Sequence, residues 1–522
     1  MKMKGLKLAV VGLSCITFLT ACSTNKESSS SEEMKLTIFD KNSGSKKFDD
    51  RIAQEIEKRT GVDIELQSPT GDAESKLSLM LSSRDYADIV IMDRSSDLVD
   101  KYISSGAFIE LNDLIDEHGP NVAEMYGETL NKTRAADGKN YYLSNWYDES
   151  NQPVAAWNMR YDYMVEIVGK ERADSPEPFT QSEMLDILRK FKEKHPEVDG
   201  KKSYGITIQE NGLGVAGMFG IKTYYENDGK LFHQAKNPEF LKMITFLNQL
   251  YQEDLLDKEW VTNNDTLRNQ KLSAGNMMGS ISGYWDPQSV NDANRQAGKN
   301  EAVYVAYKVI GDGLKEDETT YGGRSSLGWD AIGITDNAKN PEAAMKVIDF
   351  LASREGQSLM LWGIEGEDYT VNDNGDYTPS EEILKQFSEN REDATNNTGI
   401  TRWTWFVNNQ GPTENTPMRV TDYLDQSTFE NKMAYQNMVD TNWDTAIYDD
   451  LTPDVSTPVG LKWQKISDIY AQAIPKMINA TSESEAKKIY NQMLKDFDTA
   501  GIEEVEEAIN TNYQERLKLW SE

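Results

Sequence analysis

Ala87-Asp88-Ile89-Val90-Ile91-Met92 is an apolar run broken by one acid, and it ends in the polar loop Asp93-Arg94-Ser95-Ser96. A strand covered on both faces reads this way, as the central strands of parallel sheets do. Upstream, Val62-Asp63-Ile64-Glu65-Leu66 alternates like a half-buried strand. Leu36-Thr37-Ile38-Phe39 is a third strand pattern and runs into the turn-rich Asp40-Lys41-Asn42-Ser43-Gly44. Phe48, Ile52 and Ile56 share one helical face, and Gly61 stands where a glycine stops a helix. Leu77, Met80 and Leu81 mark a second helix. Strand–helix–strand–helix–strand predicts a doubly wound α/β unit, whose ligand lies at the carboxyl ends of the strands. That rule selects Asn42, Asp93 and Arg94, residues that serve equally well as helix caps and turn formers.

The chain begins with Lys2, Lys4 and Lys7, an apolar run from Leu8 to Leu19, and then Thr20-Ala21-Cys22. A charged start, a short apolar stretch and small residues have the layout of a secretory signal peptide. The run falls short of the roughly 18 apolar residues that span a bilayer. Leu19-Thr20-Ala21-Cys22 resembles the lipobox of bacterial lipoproteins. That resemblance implies a signal peptide over 1–21, a diacylglycerol on Cys22, and a Ser/Glu tether over 22–33. It places a soluble body on the outer face of the cytoplasmic membrane of a Gram-positive cell.

The 522 residues carry a formal charge of −32, about −35 once the three leader lysines are gone. Nucleic acid and anionic headgroups need Lys/Arg neutralisation, so neither is an expected partner. Cys15 leaves with the leader and Cys22 is used by the lipid, so the body has no disulfide and no Cys-based metal site. The three histidines are scattered. His118 precedes Gly119-Pro120 and His195 precedes Pro196, both helix ends, and His233 stands alone. A zinc centre or a His-dependent triad has no material.

The segments ADIVIMD (87–93), SSGAFIELNDLIDEHGPNV (104–122) and DGKNYYLSNW (137–146) resemble the extracellular solute-binding proteins of ATP-binding-cassette importers. The narrower likeness is to the large lipoprotein branch that binds oligosaccharides in Gram-positive bacteria. The most specific match is NPEAAMKVIDFLASREGQSLMLWGIEGEDY (340–369). There Asn340 and Pro341 are placed to open a helix whose inner face is Ala344, Val347, Ile348 and Leu351. The resemblance implies a two-lobed periplasmic-binding-protein-like α/β fold of type II, with several hinge crossings and the ligand cleft between lobes. The expected boundaries are 34–155 plus 325–395 for the first lobe and 156–324 plus 396–522 for the second. Gly106 to Leu111 reads as a strand, and Asp137 to Leu143 as a hairpin that delivers Trp146 and Tyr147 on a loop.

In the second lobe Thr180 and Glu183 form a capping-box pair, and Ser203 to Ile208 reads as a strand. Gly212-Leu213-Gly214-Val215-Ala216-Gly217 is a literal G-x-G-x-x-G. A dinucleotide site needs that motif at the first strand–helix junction, and here the loop is lengthened and followed by a hairpin at Asp228-Gly229. It reads instead as a loop that lets backbone approach a neighbour. Leu272 to Trp285 resembles the family's segment in which a strand ends in an aromatic-bearing ligand loop, here Tyr284 and Trp285. Trp329 to Thr335 is the return strand. Asn372, Asn374 and Glu381 occupy calcium-loop positions, with Asp376 between them, but Thr370 replaces the first aspartate; a hairpin at Asp373-Asn374-Gly375 is the competing reading. The tail carries Arg402-Trp403-Thr404-Trp405-Phe406 and Asn442-Trp443, then polar segments with prolines. Two closing helices follow, Ser484 to Phe497 and Glu503 to Trp520.

Sugars offer apolar C–H faces and rings of hydroxyls, so their sites combine aromatic platforms with planar polar side chains. The expected binding residues are Asn42, Asp93, Arg94, Trp146, Tyr284, Trp285, Trp329, Asp330 and Trp403, with Trp362 assigned to the core. No catalytic residue and no cofactor is expected. The chain is read as a monomer that delivers an oligosaccharide to importer permeases. A peptide ligand is the main alternative. A glycoside hydrolase, with Glu365 the nearest tempting acid, and a surface adhesin are further ones.

Overall fold

The computed structural model describes residues 34–44, 47–135, 137–146, 153–209, 213–413, 416–438 and 441–521. Cys22 and the leader and tether expected over 1–33 lie outside them, as do Tyr147 and Gly212. In chain order the strands that build the body are β1 (Met34–Asp40), β2 (Val62–Gln67), β3 (Ile89–Asp93), β4 (Leu143–Asn145), β5 (Ala155–Arg160), β6 (Tyr204–Ile208), β7 (Met277–Gly283), β8 (Tyr304–Tyr307), β9 (Gly322–Arg324), β10 (Asp330–Ile334) and β11 (Asn442–Asp444). The first lobe is a five-stranded sheet in the order β2-β1-β3-β10-β4. The second is a four-stranded sheet in the order β8-β5-β7-β6. Among the described residues no helix is long and apolar enough to cross a membrane.

In the first lobe β1, β2 and β3 are parallel, and β10 returns antiparallel between β3 and β4. The continuous apolar run of β3 follows from its central place. Ile89 and Ile91 pack into one core with Ile52, Ile56 and the helix Pro341–Ala352. Val90 and Met92, pointing the other way, join a second core with Leu77, Met80 and Tyr102. Helix Arg51–Thr60 opens on Asp50, whose carboxylate accepts from the Ala53 amide at 2.9 Å, and closes on Gly61 at φ 70°, where a Cβ would be costly.

The second lobe joins β7 to β6 in parallel and to β5 antiparallel. The predicted capping box at Thr180 and Glu183 is formed, and Asp228-Gly229 turns the hairpin between Tyr224–Asn227 and Lys230–His233. The glycines of the 214–217 stretch serve packing. A Cβ on Gly217 would lie 2.9 Å from Tyr321, at the root of β9. The helices Glu483–Ala500 and Ile502–Ser521 cover this lobe, joined by a third, Pro458–Ile478, that polarity and prolines concealed. Its Pro458 occupies the first turn, where no amide partner is lost, and Thr457 caps it.

Two expectations about the first lobe are corrected. Residues 106–111 form no strand: Gly106 adopts φ 74°, the Ala107 and Phe108 amides turn back to the Tyr102 carbonyl, and only an isolated bridge joins Phe108 to Thr335. The boundary at 396 is displaced. Ile400, Trp403, Phe406, Val407, Met418 and Val420 all pack in the first lobe's core, so the last crossing falls between Asp425 and Phe429. Trp403 anchors that segment, its ring 4.8 Å from that of Phe48 and its indole N–H donating to Asp50 at 2.9 Å.

His233 is buried among the rings of Trp463, Tyr470 and Phe497, and its Nδ1 accepts from the Ala235 amide. Burial, helped by the charge of Lys236, pushes its pKa from 6.5 down to about 4. Between those values the unfolded chain holds a proton that the folded chain refuses. The contribution is therefore complete above pH 6.5 and lost as pH falls toward 4, roughly 3 kcal/mol in all. Urea unfolding followed from pH 7 to pH 4.5 should show the loss, and His233→Asn, which keeps an acceptor near Nδ1, should flatten the dependence. An equal slope in the variant would remove His233 as its source.

Candidate functional site

Three chain crossings join the lobes: after Trp146, between Arg324 and Trp329, and after Asp425. Between the lobes at these crossings lies a cavity of about 990 Å³, at the large end of small-molecule sites. Its walls are aromatic. Trp146, Trp329 and Trp405 come from the first lobe, and Tyr284, Trp285 and Trp443 from the second. Trp285 is 47% exposed and Trp329 40%, a large open area for indoles that ordinarily sit mostly covered.

The first-lobe wall hangs from a buried carboxylate. In the β10 register Asp330 stands opposite Asp93 on β3 and Asn145 on β4. The Asp330 side chain is fully buried and meets the Lys41 ammonium at 2.8 Å. Its Oδ2 accepts from Asn42 Nδ2 at 2.8 Å and Asn145 Nδ2 at 3.0 Å. Asn145 also donates to the Trp405 carbonyl at 3.0 Å and accepts from the Asp330 amide. Trp329 and Trp146 are the chain neighbours of these two residues, so one polar cluster fixes three indoles. Burial works against the Lys41 cation, but the hydrogen bond and charge of Asp330, with Asp93, outweigh it and raise its pKa. Gly328 has φ 66° and passes so near the Asn145 carbonyl that a Cβ would overlap it. The rings are set as well: Trp405 meets Trp329 edge-on at 5.7 Å, and Trp146 meets Tyr126 at 5.9 Å.

The opposite wall is held in a similar way. Asn158 on β5 donates to Ser282 Oγ at 3.0 Å and the Gly283 carbonyl at 3.1 Å, fixing the end of β7. The Tyr284 amide then bonds the Val154 carbonyl at 2.9 Å, and its ring meets Trp285 edge-on at 5.4 Å. Trp443 rides on β11, which pairs in parallel with the crossing strand β9. Behind the cavity a second cluster ties the lobes. Arg94 reaches Asp449 at 2.7 Å and Asp450 at 2.5 Å, and its Nε donates to the Gly328 carbonyl. Burial raises the pKa of Asp449 and lowers that of Arg516, which donates to the Ala446 and Asp449 carbonyls.

Trp146, Tyr284, Trp285 and Trp329 thus line the cavity. Asn42, Asp93, Arg94 and Asp330 do not: they stand behind it, in the clusters that hold the loops. Trp403 is core, 1% exposed. Its place is taken by Trp405, two residues on, in the middle of the short helical turn Thr404–Phe406 that Trp403 precedes. Trp443 also lines the cavity, as do the pairs Arg391–Asp425 and Arg419–Asp422; all but Arg391 of these four lie beyond 396, in the part assigned to the second lobe from sequence. The segment 369–379 is a hairpin in which Asn372 Oδ1 accepts the Asn374 and Asp376 amides and Asn372 Nδ2 donates to Asp376. Among the described residues no group of three His, Cys, Asp or Glu is arranged to hold a metal. Glu365 is exposed in a turn of the first lobe, outside the cavity lining.

The polygalacturonan/rhamnogalacturonan-binding protein YtcQ of Bacillus subtilis is 24% identical over 352 residues, which are 65% of this chain and 67% of that protein. The fructooligosaccharide transporter substrate-binding protein FusA of Streptococcus pneumoniae is 26% identical over 345 residues, 62% of this chain and 61% of FusA. Among solved structures, an HMO-binding ABC-transporter-associated solute-binding protein of Bifidobacterium longum infantis superposes with a TM-score of 0.70 at 16% identity. It covers 93% of this chain and 99% of that one, so the two-lobed architecture is shared. The model of the bacterial extracellular solute-binding proteins matches residues 41–358, more than half of the sequence, and the chain belongs to that family.

Proposed function

We propose that this protein captures an oligosaccharide between its lobes and presents it to the permease of an ATP-binding-cassette importer. The observation that carries the reading is the set of aromatic faces brought to one cavity from both lobes. Indole faces stack on the C–H faces of sugar rings, and the Arg–Asp pairs beside them offer planar donors and acceptors to hydroxyls. A volume of about 990 Å³ suits several linked units better than one. Closure of the lobes would cover both sides of the ligand and exclude water, giving the permease a distinct state to recognise.

This reading assigns the chain no chemistry and no cofactor. The three carboxylates of the described lining are all engaged: Asp422 with Arg419, Asp425 with Arg391, and Asp444 with Ser326. A general acid of a glycosidase needs a raised pKa. For Asp444, burial pushes the pKa up but the Ser326 and Ala446 amides outweigh it and bring it below the usual value. Calcium at Asn372, Asn374, Asp376 and Glu381 has no part in the reading, since the turn's own hydrogen bonds use the Asn372 side chain. Cys22 is the proposed lipid anchor, with 22–33 as tether, and the body acts as a monomer outside the membrane.

The test is a thermal-shift screen of the soluble body against oligosaccharides and, separately, short peptides. A ligand at about 100 times its Kd adds ~2.7 kcal/mol, a shift of a few degrees. A rise with glycans supports the reading, and a rise with peptides alone replaces it. Calorimetry should then find that Trp285→Ala binds the same glycan at least tenfold more weakly with little change in melting temperature. Asp330→Asn should lower stability by about 1–3 kcal/mol, because it strands Lys41 and loosens three indoles. Its affinity should fall with it, whereas unchanged affinity and indole fluorescence would separate the cluster from the cleft. Cys22→Ala should release the protein from the cell into the medium, and retention on the membrane would dismiss the anchor.

A further inference from the structure

Among the described residues the charged side chains of the cavity lining are Arg324, Arg391 and Arg419 against Asp422, Asp425 and Asp444. These three cations and three anions are equal in number, and Asp444 is further paired with Lys132 at 3.4 Å, within a chain whose net charge is −32. The pairing is close. Arg391 holds Asp425 by both terminal nitrogens, one of them at 2.9 Å from Oδ2. Arg419 holds Asp422 through Nε and Nη2 at 2.9 and 2.8 Å. Arg324 is also engaged. On the facing wall Asp444 accepts from the Ser326 amide at 2.9 Å and its hydroxyl at 2.7 Å.

We infer that this cleft selects neutral, hydroxyl-rich oligosaccharides and rejects those bearing carboxylates, with the pairs Arg391–Asp425 and Arg419–Asp422 as the specificity determinants. The inference rests on the oligosaccharide reading above and narrows it. At Arg391 and Arg419 a uronate carboxylate would meet guanidinium edges that an aspartate already occupies, so it would give up its water without gaining an uncompensated cation there. A neutral hydroxyl meets no such barrier. The Arg391 guanidinium has five N–H donors and spends two on Asp425, whose oxygens keep lone pairs. That pair therefore offers donors and acceptors side by side with no net charge. Vicinal hydroxyls, which donate and accept at once, match that array. The segment that supplies both pairs also supplies Trp405, so apolar platform and polar array arrive together.

The experiment is calorimetric titration of the soluble body with neutral oligosaccharides (fructo-, malto-, manno- and xylo-), with oligogalacturonides and the same chains after carboxyl reduction, and with short peptides. The expected result is binding to a neutral glycan, insensitive to salt because no ion pair forms across the interface, with any carboxylated counterpart at least tenfold weaker. Asp425→Asn and Asp422→Asn, checked for folding by melting temperature, should narrow that gap by freeing a guanidinium. Oligogalacturonides that bind as tightly as their reduced forms, with affinity falling as salt rises, would overturn the inference while leaving the oligosaccharide function intact. Binding of peptides alone, or of nothing in the panel, would overturn both. If either variant unfolds, the salt dependence and the reduced-chain comparison on the unaltered protein still decide.

Discussion

Asp330 is a carboxylate with no exposed surface, and such a group is tolerated only when its charge and lone pairs are answered. Lys41 answers the charge at Oδ1, and Asn42 and Asn145 both donate to Oδ2. These partners come from the ends of β1 and β4, while Asp330 begins β10. The cluster therefore welds the carboxyl edge of the sheet at the point where the chain turns toward the cleft. Removing Asp330 would strand the Lys41 ammonium, and removing Asn145 would free the backbone that carries Trp146 and Trp405. The aromatic wall is as rigid as this cluster makes it.

The hinge follows a different logic. A binder must hold its lobes together yet let them move, and the three crossings provide short covalent links without a shared apolar core: the large clusters of the two lobes have no residue in common. What bridges them is polar. Arg94 grips Asp449 and Asp450, and Asp444 grips Ser326. On opening, both partners of such a bridge regain water, which offsets part of the attraction they lose, whereas an apolar interface of the same area gains nothing from exposure.

Much of the first lobe is written in local pattern. The β1–β3 strands, the helix closed by Gly61 and the helix opened by Asn340 each have a period and a cap that decide them without reference to the rest. The site is less legible, because it depends on register across the fold. Trp403 and Trp405 sit in one polar-aromatic run, and nothing local says which ring faces Phe48 and which faces the cleft; that is fixed by Asp50, more than 350 positions away in sequence. Asn42, Asp93 and Arg94 were brought to the right edge of the sheet by the strand-end rule, but that rule cannot distinguish a side chain that meets ligand from one that holds the loop meeting it. Arg391 and Arg419 carried no signal at all, since an arginine near an aspartate is ordinary on any helix. Pro458–Ile478 was hidden by its prolines: Pro458 lies in the first turn, where no amide partner is lost, but Pro475 lies inside the helix, where it removes a hydrogen bond that packing must offset.

The two most exposed indoles face each other's lobes, Trp285 on the second and Trp329 on the first. Large apolar area left in water is unfavourable by about 25 cal/mol per Å², and a free side chain would rotate to cover it. Trp329 cannot, because its neighbours Gly328 and Asp330 are pinned, and its carbonyl is held by the Arg94 amide at 2.9 Å. Trp285 is fixed by the bonded end of β7. The fold thus spends stability in both lobes to keep these faces uncovered, and whatever covers them recovers that area from both sides at once. A ligand that spans the gap gains more from the closed arrangement than from either lobe alone, so binding and closure draw on the same buried surface, and the polar bridges at the hinge need only be weak enough to let it act.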